Sequence, residues 1–155
     1  MTKDQIVKQL EQSISKELLP LGFKKQGKTW YHDVDECISL LNLQKSEWGA
    51  QFYLNLGVFV KQLDPRISTP KEHQCHLRLR LSDLVPNKAE FEQYLDFENE
   101  IADEQRIHEI LKGLRSYAVP WLKAVESLEG IKTTILEGKG SAAVSLRLKT
   151  LLGIE

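Results

Sequence analysis

The segment from Gln51 to Val60 constrains the fold most, because apolar side chains fill every second position. Those positions hold Phe52, Leu54, Leu56, Val58 and Val60. The positions between them hold Gln51, Tyr53, Asn55, Gly57 and Phe59. A period of two residues is typical of a β-strand, whose successive side chains point to opposite faces of a sheet. The chain is therefore expected to build a sheet with one face against a hydrophobic core.

Further strand-like segments surround this one and are joined by short connections. Phe23–Lys25 and Thr29–Tyr31 flank a tight turn, Glu36–Ser46 precedes Gln51–Val60, and His73–Leu81 alternates Leu77, Leu79 and Leu81 with polar residues. Short connections favour antiparallel neighbours. The sequence predicts an antiparallel meander of four to five strands.

Helical patterns lie on both sides of the strands. Thr2–Leu19 has an apolar stripe with a four-residue spacing, and Thr2 and Gln5 have the spacing of a capping box. In the second half, we expect Asn99 to cap a long helix that Pro120 kinks or ends, Gly130 to close a short helix, and Ser141 to cap the last one. The prediction is one α+β domain over residues 1–155, with one helix before the sheet and several helices after it packed on one face.

The charge and the hydropathy of the chain indicate which partners and which cellular location to expect. The net charge of −1 argues against nucleic-acid binding, and the absence of a signal sequence or a long apolar run predicts a cytoplasmic protein without a membrane span. We expect both cysteines, Cys37 and Cys75, to be reduced and buried.

Residues 90–109 form an acidic segment with eight carboxylates and one arginine, a net charge of −7, which leaves +6 for the rest of the chain. This segment is interpreted as a solvated helix face, with an acidic contact surface as the alternative.

Several stretches resemble one known family. They are Leu-Gly-Phe-Lys-Lys-Gln-Gly-Lys-Thr-Trp-Tyr at 21–31, Asn-Leu-Gln-Lys-Ser at 42–46, Phe-Tyr-Leu-Asn-Leu-Gly-Val at 52–58, His-Leu-Arg-Leu-Arg-Leu at 76–81 and Val-Pro-Trp-Leu at 119–122. Together they resemble the bacterial family catalogued as domain of unknown function 4304. The resemblance implies a small bacterial cytosolic protein and implies no activity or catalytic residues.

Polar residues on the predicted strands share one parity and form the main candidate site. They are Asn42, Gln44, Ser46, Tyr53, Asn55, Arg78 and Arg80. Such a set is either the wet face of a two-layer domain or a binding face. Ile38, Leu40 and Phe59 have the same parity, which indicates that part of this face is covered.

Two functions are compatible with this face. The first is a non-enzymatic binding or interaction domain, regulatory or immunity-like, that holds a protein partner with the polar face and with Trp48, a tryptophan expected in an exposed turn. The second is a receptor or enzyme for a phosphorylated or anionic small molecule held by Arg78 and Arg80.

Other chemistry is disfavoured by spacing. On a strand, His73 and Cys75 point away from His76, so they do not converge on a metal. Neither cysteine has the surroundings of a nucleophile, and the segment 138–141 lacks the phosphate-loop spacing. The sequence therefore predicts no catalytic residues, no metal and no cofactor, and it does not specify the oligomeric state.

Overall fold

The computed structural model describes residues 2–138 and 142–155. An N-terminal helix precedes five strands, and helices follow, with a sixth strand between the last two helices. The helices are α1 (Lys3–Leu18), α2 (Lys88–Tyr94), α3 (Asp103–Gly113), α4 (Val119–Ala124), α5 (Leu128–Glu137) and α6 (Leu146–Leu152). The strands are β1 (Lys24–Gln26), β2 (Thr29–Val34), β3 (Cys37–Lys45), β4 (Phe52–Val60), β5 (Leu77–Arg80) and β6 (Ala143–Val144).

The six strands form one antiparallel sheet in the order of the sequence, β1-β2-β3-β4-β5-β6. This confirms the α+β class and the meander, although the described sheet has six strands rather than four to five. The sixth strand has only two residues, too few to show a periodicity. The strand expected from His73 begins instead at Leu77, because Glu72–Gln74 form a 3₁₀ turn.

One face of the sheet carries the main core. Trp30, Leu41, Leu56 and Leu79 point from four neighbouring strands into this core. Every helix adds buried side chains to it, as the following residues show: Leu10, Phe91, Ile110, Trp121, Ile131 and Leu148. The capping box of Thr2 and Gln5 is present at the start of α1, as predicted. The helices therefore pack on one face, and the other face is left for other uses.

Several predicted helix boundaries are wrong. Asn99 does not cap α3, which follows Ala102, because the Asn99 side chain donates to the carbonyl of Gln93 instead. Gly130 lies inside the first turn of α5 rather than at a helix end. The last helix is capped by Ser145, whose Oγ accepts from the amide of Leu148, and Ser141 lies outside the described residues.

Half of the opposite sheet face is covered by the connection between β4 and β5. Ile38, Leu40, Phe59 and Cys75 form a second, smaller buried cluster there, with Tyr31 and Ile67 packed against it. This explains why apolar residues share the parity of the polar set. The cover leaves the remainder of that face to polar side chains.

The same connection is fastened by His76 and Asp64. The Nδ1 of His76 accepts from the amide of Val60 at 2.9 Å, and its Nε2 contacts Asp64 Oδ2 at 2.9 Å. Because Nδ1 is an acceptor, the ring proton lies on Nε2 and is donated to Asp64. Arg147 of α6 also donates to Asp64, so the C-terminal helix is linked to the cover.

Candidate functional site

The uncovered half of the second sheet face brings six of the predicted site residues together. Cross-strand pairing places Asn42 opposite Asn55, Asn55 opposite Arg80, and Gln44 opposite Tyr53. Arg78 is two positions from Arg80 on the same side of β5. These residues, Asn42, Gln44, Tyr53, Asn55, Arg78 and Arg80, are called the polar face below.

Side-chain amides form the centre of the polar face. Asn55 is only 4% exposed. Its Nδ2 donates to Gln44 Oε1 at 2.8 Å and to Asn42 Oδ1 at 3.2 Å. Asn42 in turn donates to Thr29 Oγ1 at 2.9 Å. The buried amide is thus hydrogen-bonded, and the network fixes the orientation of its members.

Arg78 is already engaged by an acidic neighbour. Its Nε donates to Glu72 Oε1 at 2.9 Å and its Nη2 to Glu72 Oε2 at 3.2 Å, a bidentate pair. The carboxylate therefore competes with any anionic ligand for this guanidinium. The sequence does not identify Glu72 as a partner of Arg78. This glutamate lies in the irregular β4–β5 connection, and no periodicity predicts how that connection crosses the sheet.

Arg80 behaves differently from Arg78. Its guanidinium lies 3.7 Å from the centroid of the Tyr53 ring, a close cation–π stack. Within the described part of the chain, no carboxylate forms an ion pair with it. Stacking holds the plane of the guanidinium while its N–H groups remain available to a partner.

A shallow depression of about 560 Å³ lies over part of this surface. It is lined by Gln44, Asn55, Glu72, His73, Arg78, Leu79, Arg80, Asp83 and Ala143. Two carboxylates offset two guanidiniums among these residues. The electrostatics of the depression therefore favour a mixed polar contact over a strongly anionic ligand.

The remaining two predicted residues lie at the β3–β4 turn. Ser46 Oγ accepts from the amide of Trp48 at 3.2 Å, so Ser46 serves the turn rather than the polar face. Trp48 is 92% exposed. The turn ends about three residues before Tyr53 in the chain, which corresponds to roughly 10 Å along β4 at the usual rise per residue of a strand.

The acidic segment adjoins this turn. Phe52 donates its amide to the carbonyl of Leu95 at 2.8 Å, and Phe97 donates to that of Ala50 at 3.1 Å. The segment's one arginine, Arg106, is buried and donates to the carbonyls of Tyr94, Asp96 and Asn99. Burial of the arginine leaves a surface dominated by carboxylates, four of which are exposed: Glu90, Glu98, Glu100 and Glu104.

The cysteines and histidines do not assemble into a reactive pair. Burial raises the pKa of the Cys75 thiol, and burial with the nearby Glu36 raises the pKa of Cys37 to about 11. Both thiols are buried, and neither forms a disulfide. Both ring nitrogens of His76 are already hydrogen-bonded. Within the described residues, no group of three or more His, Cys, Asp or Glu side chains could hold a metal ion.

Comparison with known proteins is informative at the level of the family. The family model for a domain of unknown function (DUF4304) matches residues 3–124. The chain belongs to this family. The DUF4304 match spans α1 to α4 and β1 to β5, so it contains the whole polar face and Trp48. α5, β6 and α6 lie beyond the matched region.

Searches among curated proteins and solved structures gave no match. No helix in the described part of this DUF4304 chain has the length and apolar character needed to cross a membrane.

Proposed function

We propose that this protein is a non-enzymatic, cytoplasmic bacterial interaction domain, regulatory or immunity-like, that binds a protein partner through the polar face and Trp48. The observation that carries the proposal is the 92% exposure of Trp48 beside an ordered polar surface. Tryptophan and arginine are enriched among the residues that dominate the energetics of protein interfaces. Covering an exposed tryptophan with a partner removes a large apolar surface from water, which contributes favourable free energy to binding.

The rigidity of the polar face supports the same function. The amides of Asn42, Gln44 and Asn55 hold one another, and Tyr53 orients Arg80. A surface whose side chains are already fixed loses little conformational entropy on binding. The mixture of free Arg80 and paired Arg78 suits the polar rim of an interface.

A capture experiment tests this proposal. The protein is immobilised and exposed to an extract of the source organism, and bound proteins are quantified by mass spectrometry. Wild type and Leu136→Ala, which truncates an exposed leucine on α5, are expected to enrich the same protein. Trp48→Ala and Arg80→Ala are expected to reduce that enrichment at least about tenfold. Equal enrichment by Trp48→Ala would contradict the proposal.

A receptor for an anionic small molecule is the second candidate, supported by the unpaired guanidinium of Arg80 in the depression. It predicts that inorganic phosphate or a phosphorylated metabolite raises the melting temperature of wild type. The rise would be lost in Arg78→Ala and Arg80→Ala. A rise that depends on these arginines would favour the receptor over the interaction domain, and a stable protein partner without any ligand response would favour the interaction domain.

A further inference from the structure

The indole N–H of Trp121 is an unpaired donor on a buried side chain within the described part of the chain. The side chain is only 5% exposed and belongs to the main core. Its Nε1 forms no hydrogen bond with another described residue. The indole of Trp30, which is also buried, shows the usual arrangement, since its Nε1 donates to Ser15 Oγ at 3.0 Å.

The Trp121 donor is not sealed from solvent, and its side chain lines a cleft. The buried side-chain nitrogen and oxygen atoms that have neither partner nor solvent contact are Ser39 Oγ and Arg106 Nε within the described chain. Trp121 Nε1 is not one of them, and Trp121 lines a cleft of about 500 Å³. This volume lies within the range of small-molecule sites.

The cleft owes its shape to an irregular turn between α3 and α4. Pro120 has no N–H to donate to the carbonyl four residues earlier. The chain widens into a π-helical segment, Leu114–Ala118, in which the amide of Val119 donates to the carbonyl of Leu114. Such single π turns are frequent at functional sites. Here the turn sets Ser116 and Tyr117 in the wall of the cleft, next to Pro120 and Trp121.

The polar groups of the cleft define the chemistry of an occupant. Thr134 Oγ1 donates its own hydrogen to the carbonyl of Gly130 at 2.8 Å, so the oxygen can accept a hydrogen bond from a ligand. Asp83 and Glu137 add carboxylates, and that of Asp83 also binds Lys88 at 2.8 Å. No lysine, arginine or histidine is present among the described lining residues. An anionic ligand would therefore meet carboxylates and no cation among the lining residues that the structure describes.

We propose that this cleft binds a small, uncharged planar molecule that carries a carboxamide. Its carbonyl oxygen accepts from Trp121 Nε1, its N–H donates to Thr134 Oγ1, and its ring packs against Tyr117 and Pro120. The site is separate from the polar face, and it does not depend on the function proposed for that face.

Benzamide and benzoate are suitable probes, because they share a ring and differ in charge. Two-dimensional ¹H–¹⁵N spectra of the ¹⁵N-labelled protein resolve the indole N–H signals of its three tryptophans. The Trp121 signal is expected to shift saturably with benzamide, with a dissociation constant on the order of millimolar for so small a molecule. Benzoate is expected to bind at least about tenfold more weakly. The signals of Trp30 and Trp48 are expected to stay in place.

A matched pair of variants locates the site. Ser116→Phe places a ring in the wall of the cleft and is expected to abolish the benzamide shift. Ser68→Phe makes the same change at an exposed position in the β4–β5 connection and is expected to leave the shift unchanged. An unmoved Trp121 signal up to the solubility of benzamide would overturn the proposal. So would binding of benzoate equal to that of benzamide, or an equal response in the two variants.

Discussion

At the scale of single residues, side chains that look alike in the sequence differ in their surroundings. Arg78 and Arg80 occupy equivalent positions of one strand, yet Glu72 binds the first and Tyr53 stacks with the second. The alternation of β5 correctly predicts the face on which both lie. It contains no information on their partners, because these come from other segments. The exposure of Trp48 was predictable, since a tryptophan in a turn has little core to enter.

Gly57 provides a test of the covered half of the second sheet face. A Cβ added there would lie 2.8 Å from the Sγ of Cys75 and 3.0 Å from its Cβ. Gly57→Ala is therefore expected to lower the free energy of unfolding by about 1–3 kcal/mol through overpacking. Urea denaturation measures this quantity. Gly49→Ala is the control, because its added Cβ has no atom within 4 Å. Equal stabilities of the two variants would mean that Cys75 does not pack on β4.

At the scale of elements, long periodic segments were predictable and short or irregular ones were not. The capping box of α1 and the alternation of β4 each rest on local chemistry, and both appear in the structure. β6 has two residues and becomes a strand only because β5 offers a free edge. The start of α5 is local, since the Oγ of its N-cap Ser127 accepts from the amide of Gly130. Gly130, which has the properties of a helix terminator, lies within that helix at a position where the carbonyl of Ala124 in α4 leaves no room for a Cβ.

The contact at Gly130 predicts a large effect of a small substitution. A Cβ there would lie 2.0 Å from the carbonyl oxygen of Ala124, a backbone atom that cannot rotate away. Gly130→Ala is expected to destabilise the fold by more than about 2 kcal/mol, although alanine favours helices. Thermal unfolding followed by circular dichroism measures the change. Adding Ala124→Gly keeps the backbone carbonyl at position 124, so it is not expected to restore the stability of the Gly130→Ala protein. A Gly130→Ala protein as stable as wild type would place α5 further from α4 than described.

At the scale of the whole molecule, the two faces of the sheet have different tasks. One face carries the helices and the main core, and the other is divided between the β4–β5 connection and the polar face. The C-terminal part beyond the family match completes the sheet with β6 and binds the connection through Arg147 and Asp64. Sequence periodicity predicted the two faces. It did not predict how the connection divides the second one, because that depends on contacts distant in sequence.

The hydrogen bonds that Asp64 accepts from His76 and Arg147, called the clasp below, predict a dependence of stability on pH. Hydrogen bonds from His76 and Arg147 lower the pKa of Asp64 below its ordinary value. A lowered pKa means that the stabilisation is complete above the pKa of the unfolded chain, about 4, and is lost as the pH falls through the folded value. Asp64→Asn is therefore expected to flatten the decline of unfolding free energy below about pH 4. The control Asp35→Asn, at an exposed carboxylate in the β2–β3 turn, should keep the wild-type slope. Identical slopes in all three proteins would show that the clasp does not contribute.

Site-specific photo-crosslinking tests the proposed interaction surface most directly. The photoreactive amino acid benzoylphenylalanine is introduced at position 47, which is exposed beside Trp48, or at position 136, which is exposed on α5, and the source organism is irradiated intact. The proposed function predicts a discrete crosslinked adduct with one protein at position 47, which disappears when Arg80→Ala is added, and none at position 136. The absence of an adduct at position 47, or the same adducts at both positions, would contradict it.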